Sequence, residues 1–199
     1  MPSLAITGSI GSGKSTAFEI LVPLLGASGF SADLENGRLL DHDREVRELI
    51  ITSLGTRCYG PDNKADRKFL FHLITTDRKA LETLETILHP RLEAVWKPKA
   101  LEHRNNRSCY YVAEIPLLYE KGLESFFDKT IVVGCSDSIR KQRLVNGRSL
   151  SAEQAGQWIS MQEPQQSKID RADHLVWNDG SPPILTQQLV RLAEQLRST

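Results

Sequence analysis

The sequence predicts an α/β fold in which a parallel β-sheet is flanked by helices. Short apolar runs, each followed by a helix-like segment, recur along a chain of 199 residues. Such alternation favours parallel strands joined by right-handed helical crossovers, with ligands at the carboxyl ends of the strands. A glycine-rich loop follows the first apolar run, so we expect the functional site at that end of the sheet.

The strands are predicted from short apolar runs. The first is expected at residues 4–6, and the helix after it at residues 18–25. A second strand is expected to end just before Asp33. Three later strands are predicted in runs rich in β-branched and aromatic residues, at 109–115, 130–135 and 174–177. Ser136 and Ser181 precede helix-like segments and are suited to cap the helices that follow.

Residues 8–16 carry the most specific motif. Their sequence, GSIGSGKST, fits the pattern G-x-x-x-x-G-K-S/T between a strand and a helix, which is typical of a phosphate-binding loop. Backbone N–H groups of the loop and the amino terminus of the helix would bind phosphate, Lys14 would reach the β- and γ-phosphates, and Ser15 would bind Mg²⁺. The expected nucleotide contacts are Gly11, Ser12, Gly13, Lys14, Ser15 and Thr16. The alternative is a glycine- and serine-rich turn that caps a helix.

Composition argues against several other classes of function. Basic and acidic residues number 25 each, so the chain has no global basic field for nucleic acid or membrane. Three cysteines without C-x-x-C spacing indicate a reducing compartment and argue against disulfides or a zinc site. No apolar run approaches the length of a membrane span, and we expect no signal peptide. We therefore expect a cytoplasmic protein without nucleic-acid or membrane partners, and its oligomeric state stays open.

Two segments of different character interrupt the α/β pattern. Residues 34–54 and 77–101 are charged and helix-periodic, and His89-Pro90 is expected to end the second helix. We predict a single domain over residues 1–199. Its core comprises 1–33, 107–145 and 173–199, its helical acceptor-binding insertion is 34–106, and its lid is 146–172. A purely structural helical bundle is the alternative for the insertion.

The predicted lid is short, polar and helical. Ser151 and Gln154 have the spacing of a capping box, and Pro164 interrupts the segment that follows. A flap of this kind opposite a phosphate loop is typical of a mobile lid. A basic cluster leads into it, formed by Arg140, Lys141, Arg143 and Arg148. The guanidinium groups of its three arginines are suited to clamp a transferring phosphate, and a solvated charged surface is the alternative.

Asp33 is the candidate general base. Phosphoryl transfer to a hydroxyl group needs a carboxylate that accepts the hydroxyl proton. Asp33 follows the expected second strand, which places it at the same edge of the sheet as the phosphate loop. The alternative is that Asp33 caps a helix beginning at Leu34.

Residues 63–66 match the N-K-x-D pattern that binds guanine in GTPases. In those proteins the pattern ends a buried strand, whereas Gly60 and Pro61 precede it here and predict a turn. The sequence therefore argues against guanine recognition.

Several sequence blocks follow the phosphate loop in a fixed order. Ala32-Asp33 and Asp66-Arg67 precede L-E-x-I-x-H-P at residues 84–90, and P-L-L-Y-E stands at residues 116–120. The series closes with Arg143, Gln162, Lys168, Asp173 and Asn178. In this order the blocks resemble the dephospho-coenzyme A kinases, a family of P-loop kinases, over almost the whole chain.

The resemblance implies a P-loop NTPase-type fold and the last step of coenzyme A biosynthesis. In that reaction the γ-phosphate of ATP moves to the 3′-hydroxyl of dephospho-coenzyme A. Asp33 would be the base, Lys14 and Arg143 would act on the phosphates, and Mg²⁺ would accompany ATP. Arg148 would also contact ATP, and Asn178 would lie near its adenine. The acceptor site would be bordered by His89, Pro116, Leu117, Tyr119 and Glu120. A buried, structural His89 is the alternative.

The chain also differs from the family pattern. The family usually has other residues at four positions, which here hold Ser9, Ser31, Glu114 and Trp158. Residues 36–38 replace an expected A-R pair. Two other functions stay open on the residues alone: another small-molecule or nucleotide kinase of the same fold, or a nucleotide-binding regulatory protein without catalysis. Asp33 favours a hydroxyl acceptor, because transfer to a phosphate needs no general base.

Overall fold

The computed structural model describes residues 2–105, 109–148 and 150–198, without the side chains of Arg104, Asn105 and Arg148. In chain order the elements are β1 (Ser3–Thr7), α1 (Lys14–Leu25), β2 (Ser28–Ser31), α2 (Ala32–His42), α3 (Arg44–Leu54), α4 (Arg67–Thr76), α5 (Arg78–Asn105), β3 (Tyr111–Glu114), β4 (Lys129–Gly134), α6 (Asp137–Arg148), α7 (Ala152–Ser160), α8 (Gln165–Arg171), β5 (His174–Trp177) and α9 (Pro182–Arg197). Short 3-10 turns occupy Thr56–Cys58 and Glu124–Phe126. By their contacts the residues form two compact units, one of Met1–Ser31 with Lys99–Thr199 and one of Ala32–Pro98.

The first unit contains the β-sheet. Its strands lie in the order β2-β3-β1-β4-β5, and each neighbouring pair is parallel. This confirms the predicted sheet, including the strand expected before Asp33. Glu114 of β3 pairs with Ile6 of β1 on one side and with Ser31 of β2 on the other. The carboxyl ends of three strands therefore meet at the edge where the glycine-rich loop begins.

Helices α1 and α9 contact each other and cover apolar side chains of the sheet. The buried strand residues in this core include Leu4, Ile6, Val112, Ile131 and Val133, and the helices contribute Phe18, Leu21, Leu189 and Leu192. Burial of this apolar surface is the dominant stabilising contribution. Helix α1 ends at Gly26, which adopts a left-handed φ of 60° and donates its N–H to the carbonyl of Pro23. The packing fixes the first residue of α1, Lys14, at the end of the glycine-rich loop.

The second unit is helical, as predicted for this part of the chain. Asp43 caps α3 by accepting a hydrogen bond from the Val46 N–H at 3.0 Å. Salt bridges join its helices: Arg67 of α4 contacts Asp41 of α2 at 2.7 Å, and Arg91 of α5 contacts Glu45 of α3 at 2.9 Å. Its buried side chains include Val46, Ile50, Leu70, Leu84, Ile87, Leu88, Leu92 and Trp96. The chain passes from one unit to the other twice, between Ser31 and Ala32 and between Pro98 and Lys99 within α5.

The expectation that His89-Pro90 ends a helix is wrong, because α5 continues through Pro90 and Pro98. A proline removes one helical hydrogen bond. The Thr86 carbonyl loses its usual donor at Pro90, and the Arg91 side chain donates to the neighbouring Ile87 carbonyl at 2.8 Å. Buried residues lie on both sides of Pro90, Leu88 before it and Leu92 after it. The packing of both halves therefore outweighs the local cost of the proline.

The segment predicted as a lid contains α7 and α8. The capping box is confirmed, since Ser151 accepts from the Gln154 N–H and Gln154 accepts from the Ser151 N–H. Pro164 lies immediately before α8 and forms its N-cap. The predicted boundaries at residues 106 and 107 lie outside the described residues, and the division into core, insertion and lid stays a prediction. None of the helices in the described part of the chain is long and apolar enough to cross a membrane.

Candidate active site

The loop between β1 and α1 has the backbone shape that a phosphate-binding loop requires. Gly8 and Gly13 have φ values of 148° and 91°, a region that side chains rarely adopt. A Cβ atom at Gly8 would lie 2.3 Å from the Val133 carbonyl oxygen, and one at Gly13 would lie 2.2 Å from the Asn178 Nδ2 atom. Both positions therefore require glycine, and the alternative of a simple capping turn does not account for this close packing.

The backbone at position 9 accommodates a serine side chain, although the dephospho-coenzyme A kinases usually have glycine there. Among the described non-glycine residues only Asn63 has a positive φ, so Ser9 carries no such backbone strain. The hydroxyl oxygens of Ser9 and Ser12 are buried and, within the described residues, have no hydrogen-bond partner. Lys14 extends its ammonium group back towards the loop, with Nζ 3.3 Å from the Ser9 carbonyl oxygen. The hydroxyls of Ser9 and Ser12 are therefore available as donors, and together with the Lys14 ammonium group they make the loop chemically suited to bind phosphate oxygens.

A buried carboxylate lies directly behind the loop. Glu114, the last residue of β3, is 0% exposed and accepts a hydrogen bond on each carboxylate oxygen. The Ser15 hydroxyl donates to Oε1 at 2.7 Å, and the Ser31 hydroxyl donates to Oε2 at 2.6 Å. The network joins the start of α1 to the carboxyl ends of β2 and β3. It orients the Ser15 hydroxyl, which the sequence predicts as a metal ligand.

Sequence reasoning did not include Glu114 among the site residues. One local signal was available, since an acidic residue ends the apolar run YVAE of β3. The significance of that signal depends on β3 lying beside β1, which only the strand order reveals. A strand-terminal acid next to a phosphate loop is an arrangement that contributes to Mg²⁺ binding in P-loop proteins.

Arg143 of α6 lies against the phosphate loop. Its Nη1 atom donates to the carbonyls of Gly11 at 3.3 Å and Ser12 at 3.2 Å, and Nη2 donates to the Asn178 carbonyl at 2.9 Å. The residue is half-buried, so a solvated surface charge is the wrong interpretation for Arg143. The guanidinium group supports the loop and brings a positive charge to it.

The other basic residues of α6 differ from Arg143. Arg140 is only 4% exposed and forms an ion pair with Asp137 one turn earlier. Lys141 is exposed, which fits the alternative of a solvated charge. The backbone of Arg148 ends α6, and its side chain lies outside the described residues. The cluster therefore does not act as one surface. The Arg140 backbone lies against Gly11, and among the described side chains of the cluster it is that of Arg143 that hydrogen-bonds to the loop.

Two further side chains hold the loop from other elements. Asn178, just after β5, is 6% exposed and donates from Nδ2 to the Ser12 carbonyl at 2.8 Å. Gln162, between α7 and α8, accepts from the Ile10 N–H through Oε1 at 2.7 Å. The predicted contact between Asn178 and adenine stays a prediction, and the Nδ2 atom already has a role in holding the loop.

The block at residues 116–120 packs against the sheet and α8. The Pro116 carbonyl accepts from the Thr7 hydroxyl at 3.3 Å, and Leu117 is half-buried. Tyr119 is buried and donates to the Thr130 hydroxyl at 3.1 Å, and burial raises the pKa of its phenol. Glu120 accepts from the wholly buried Lys168 at 2.5 Å. Tyr119 and Glu120 therefore have structural partners, although Glu120 is exposed, and Pro116 and Leu117 are half-buried.

Asp33 and His89 belong to the second unit. Asp33 is exposed and is the second residue of α2, which begins at Ala32 and not at Leu34. The alternative of a cap before Leu34 is therefore wrong, and Asp33 lies in the first helical turn, two residues beyond β2. His89 is half-buried within α5.

The N-K-x-D pattern lies in a turn, as predicted. Tyr59 and Ala65 form an isolated antiparallel bridge, and Asn63 between them has a left-handed φ of 60°. The Asp66 carboxylate caps α4 by accepting from the Phe69 N–H at 2.9 Å. The aspartate is thus used by a helix cap, and the pattern does not end a strand.

The parallel sheet and its phosphate loop define a P-loop nucleotide-binding protein, and comparison with known proteins specifies the family. A family model described as dephospho-CoA kinase matches residues 3–183. A curated dephospho-CoA kinase of Anaeromyxobacter dehalogenans is 31% identical, over 99% of this chain and 93% of the relative. The chain belongs to the dephospho-CoA kinase family. This confirms the expected enzyme class, an ATP-dependent kinase of coenzyme A biosynthesis.

Solved structures agree with this assignment. A crystal structure from Thermus thermophilus matches with a TM-score of 0.69 at 28% identity, covering 98% of this chain and 97% of that chain. A dephospho-CoA kinase from Campylobacter jejuni matches with a TM-score of 0.64 at 26% identity, covering 98% and 96% of the two chains. The likeness extends over the helical unit as well as the sheet.

Proposed function

We propose that the protein transfers the γ-phosphate of ATP to the 3′-hydroxyl of the ribose in dephospho-coenzyme A. The observation that carries the proposal is the phosphate loop with its hydrogen bond from Ser15 to the buried Glu114, in a chain of the dephospho-CoA kinase family. A loop of this kind binds and orients the phosphates of ATP, and phosphoryl transfer depends mainly on such positioning and on charge stabilisation.

Lys14 and the loop backbone would hold ATP. The proposed nucleotide contacts are Gly11, Ser12, Gly13, Lys14, Ser15 and Thr16, together with Arg148 and Asn178. The chain's donors also fit Mg²⁺, because the Ser15 hydroxyl and the Glu114 carboxylate are adjacent hard oxygen ligands. When bound, Mg²⁺ would neutralise negative charge that develops on the phosphates.

Arg143 would stabilise the transferring phosphoryl group. Its guanidinium group already contacts the loop carbonyls of Gly11 and Ser12. A charge held in this way needs little reorganisation during the reaction, and preorganised charge stabilises the transition state more than the ground state.

Asp33 would accept the proton of the ribose hydroxyl. Its exposure and its place two residues beyond β2 support this role. His89 and the block of Pro116, Leu117, Tyr119 and Glu120 would border the acceptor. Because Tyr119 and Glu120 have protein partners, their contribution would be to hold Pro116 and Leu117 in place.

We also propose a core of residues 1–33, 107–145 and 173–199, an acceptor-binding insertion of 34–106, and a lid of 146–172. Within the lid, α8 is held by the ion pair of the buried Lys168 with Glu120 and by Arg171, whose guanidinium lies 4.3 Å from the centre of the Tyr119 ring. The mobile part would therefore be centred on α7. A cytoplasmic location is supported by the three free cysteines, Cys58, Cys109 and Cys135.

The test is an acceptor panel. Purified protein is incubated with Mg²⁺ and γ-labelled ATP, and with dephospho-coenzyme A, its 3′-deoxy analogue, adenosine or pantetheine. Label should move to dephospho-coenzyme A and not to the 3′-deoxy analogue. Transfer to another hydroxyl compound in preference would indicate a different small-molecule kinase. ATP binding without transfer to any acceptor would indicate a regulatory nucleotide-binding protein.

A further inference from the structure

The Ser31 hydroxyl contacts the carboxylate of Glu114, and this carboxylate also contacts Ser15 at the end of the phosphate loop. The residue ends β2, is 7% exposed, and pairs in register with Glu114 on the neighbouring strand. Its hydroxyl donates to Glu114 Oε2 at 2.6 Å, which is a short hydrogen bond of the charge-assisted kind. The same carboxylate accepts from Ser15 at 2.7 Å through its other oxygen. Two serines from different elements therefore fix both oxygens of one buried acid.

This arrangement determines which way the Ser15 hydroxyl points. A serine hydroxyl has one proton and two lone pairs, and donation to Glu114 leaves the lone pairs free. Glu114 can hold Ser15 in that orientation only while its own carboxylate does not rotate. Rotation of a glutamate carboxylate is soft, since the terminal torsion has broad minima. The Ser31 hydrogen bond is the contact that restrains this rotation at the second oxygen.

The burial of Glu114 also favours a cation bound close to its carboxylate. Burial of a carboxylate is costly unless opposite charge or hydrogen bonds compensate. Ser15 and Ser31 are neutral donors, and Ser15 lies in the first turn of α1, where the helix dipole adds partial positive charge. A Mg²⁺ ion bound with ATP would supply the full charge that two hydroxyls lack.

We propose that Ser31 is a positioning residue for Mg²⁺-bound ATP: it fixes Glu114, which orients Ser15 towards the metal. The proposal rests on the proposed function in one respect only, that ATP binds the loop together with Mg²⁺. Outer partners of metal ligands typically change metal affinity by about 10–100-fold when they are removed. Ser31 has no role in binding the acceptor under this proposal.

The test measures ATP affinity by calorimetry on the full chain, once with EDTA and once over a Mg²⁺ series. Ser31→Ala should reduce the gain in ATP affinity that Mg²⁺ produces by about tenfold, which is the lower end of the range for outer-shell partners. Affinity for metal-free ATP should stay within about twofold, because the backbone N–H groups and Lys14 are untouched. Ser28→Ala is the matched control: Ser28 lies on the same strand, is exposed, and contacts His103 at 3.4 Å. It should leave both affinities unchanged.

The pair Ser31→Thr and Ser31→Val separates the hydrogen bond from packing, because the two side chains have almost the same shape. Threonine should restore most of the Mg²⁺ effect, and valine should lose it as alanine does. Equal Mg²⁺ effects in the threonine and valine variants would overturn the proposal. So would an equal loss of affinity with and without Mg²⁺. The assay contains no acceptor, so its failure is distinct from failure of the acceptor panel.

Discussion

Replacement of Arg143 by alanine should impair catalysis more than it impairs ATP binding. The substitution removes four hydrogen bonds, two to the loop carbonyls of Gly11 and Ser12, one to the Asn178 carbonyl and a weaker one to the Cys135 sulfur. It also removes a half-buried positive charge next to the phosphate loop. Loss of one preorganised donor costs about 10²–10³-fold in kcat. We expect a decrease of about 10²-fold, or about 2.7 kcal/mol of transition-state stabilisation.

Stability should also decrease, because the guanidinium joins α6 to the loop and to the segment after β5. A hydrogen bond to a charged group contributes about 1.5–3 kcal/mol, and water can replace part of this at a half-buried site. A net loss of about 2 kcal/mol would lower Tm by about 4–8 °C for a chain of this size. Thermal denaturation measures that decrease independently of activity.

The assay compares kcat and KM for ATP in the wild type and three variants. Arg143→Lys should recover part of kcat, since lysine keeps the charge but lacks the planar fork. Lys141→Ala should behave as the wild type, because Lys141 is exposed on the same helix. A change confined to KM would assign Arg143 to ground-state binding. Unchanged kinetics together with a lower Tm would leave Arg143 a purely structural residue and refute the reasoning.

The remaining predictions concern the loop lysine Lys14, the proposed general base Asp33 and the choice between adenine and guanine nucleotides. Lys14→Ala should abolish turnover and weaken ATP binding strongly, because it removes the cation of the phosphate loop; near-normal activity would contradict the assigned loop function. Asp33→Asn should preserve ATP affinity and fold while kcat falls by about 10²–10⁴-fold, and an early thermal transition with unchanged kcat would instead assign Asp33 to helix stability. Competition between ATP and GTP analogues should show no preference for guanine, since residues 63–66 form a turn and Asp66 caps α4; selective GTP binding would refute this.

The features predicted well from the sequence are those fixed by local patterns. The strand at residues 174–177 and the capping box at Ser151 follow from side-chain type and spacing over a few residues, and both occur as predicted. The phosphate loop belongs to the same class, because its pattern lies within residues 8–16 and its glycines Gly8 and Gly13 have positive φ values. These signals need no knowledge of the tertiary structure.

The features that the sequence did not predict depend on contacts between distant residues. Glu114 acquires its partners Ser15 and Ser31 because β3 lies between β1 and β2. Arg143 contacts the Asn178 carbonyl 35 residues away, which periodicity along α6 does not indicate. The continuation of α5 through Pro90 has the same cause, since buried residues on both sides of the proline outweigh its local preference.

The central claim is transfer of phosphate to the 3′-hydroxyl of dephospho-coenzyme A. Its most direct test is phosphorus NMR of the reaction product, with proton–phosphorus correlation to identify the ribose carbon that carries the new phosphate. We predict one new monoester signal that correlates with the 3′ proton, formed at the same rate as ADP. A 2′-phosphate, or ADP formation without a new phosphomonoester, would contradict the assigned reaction.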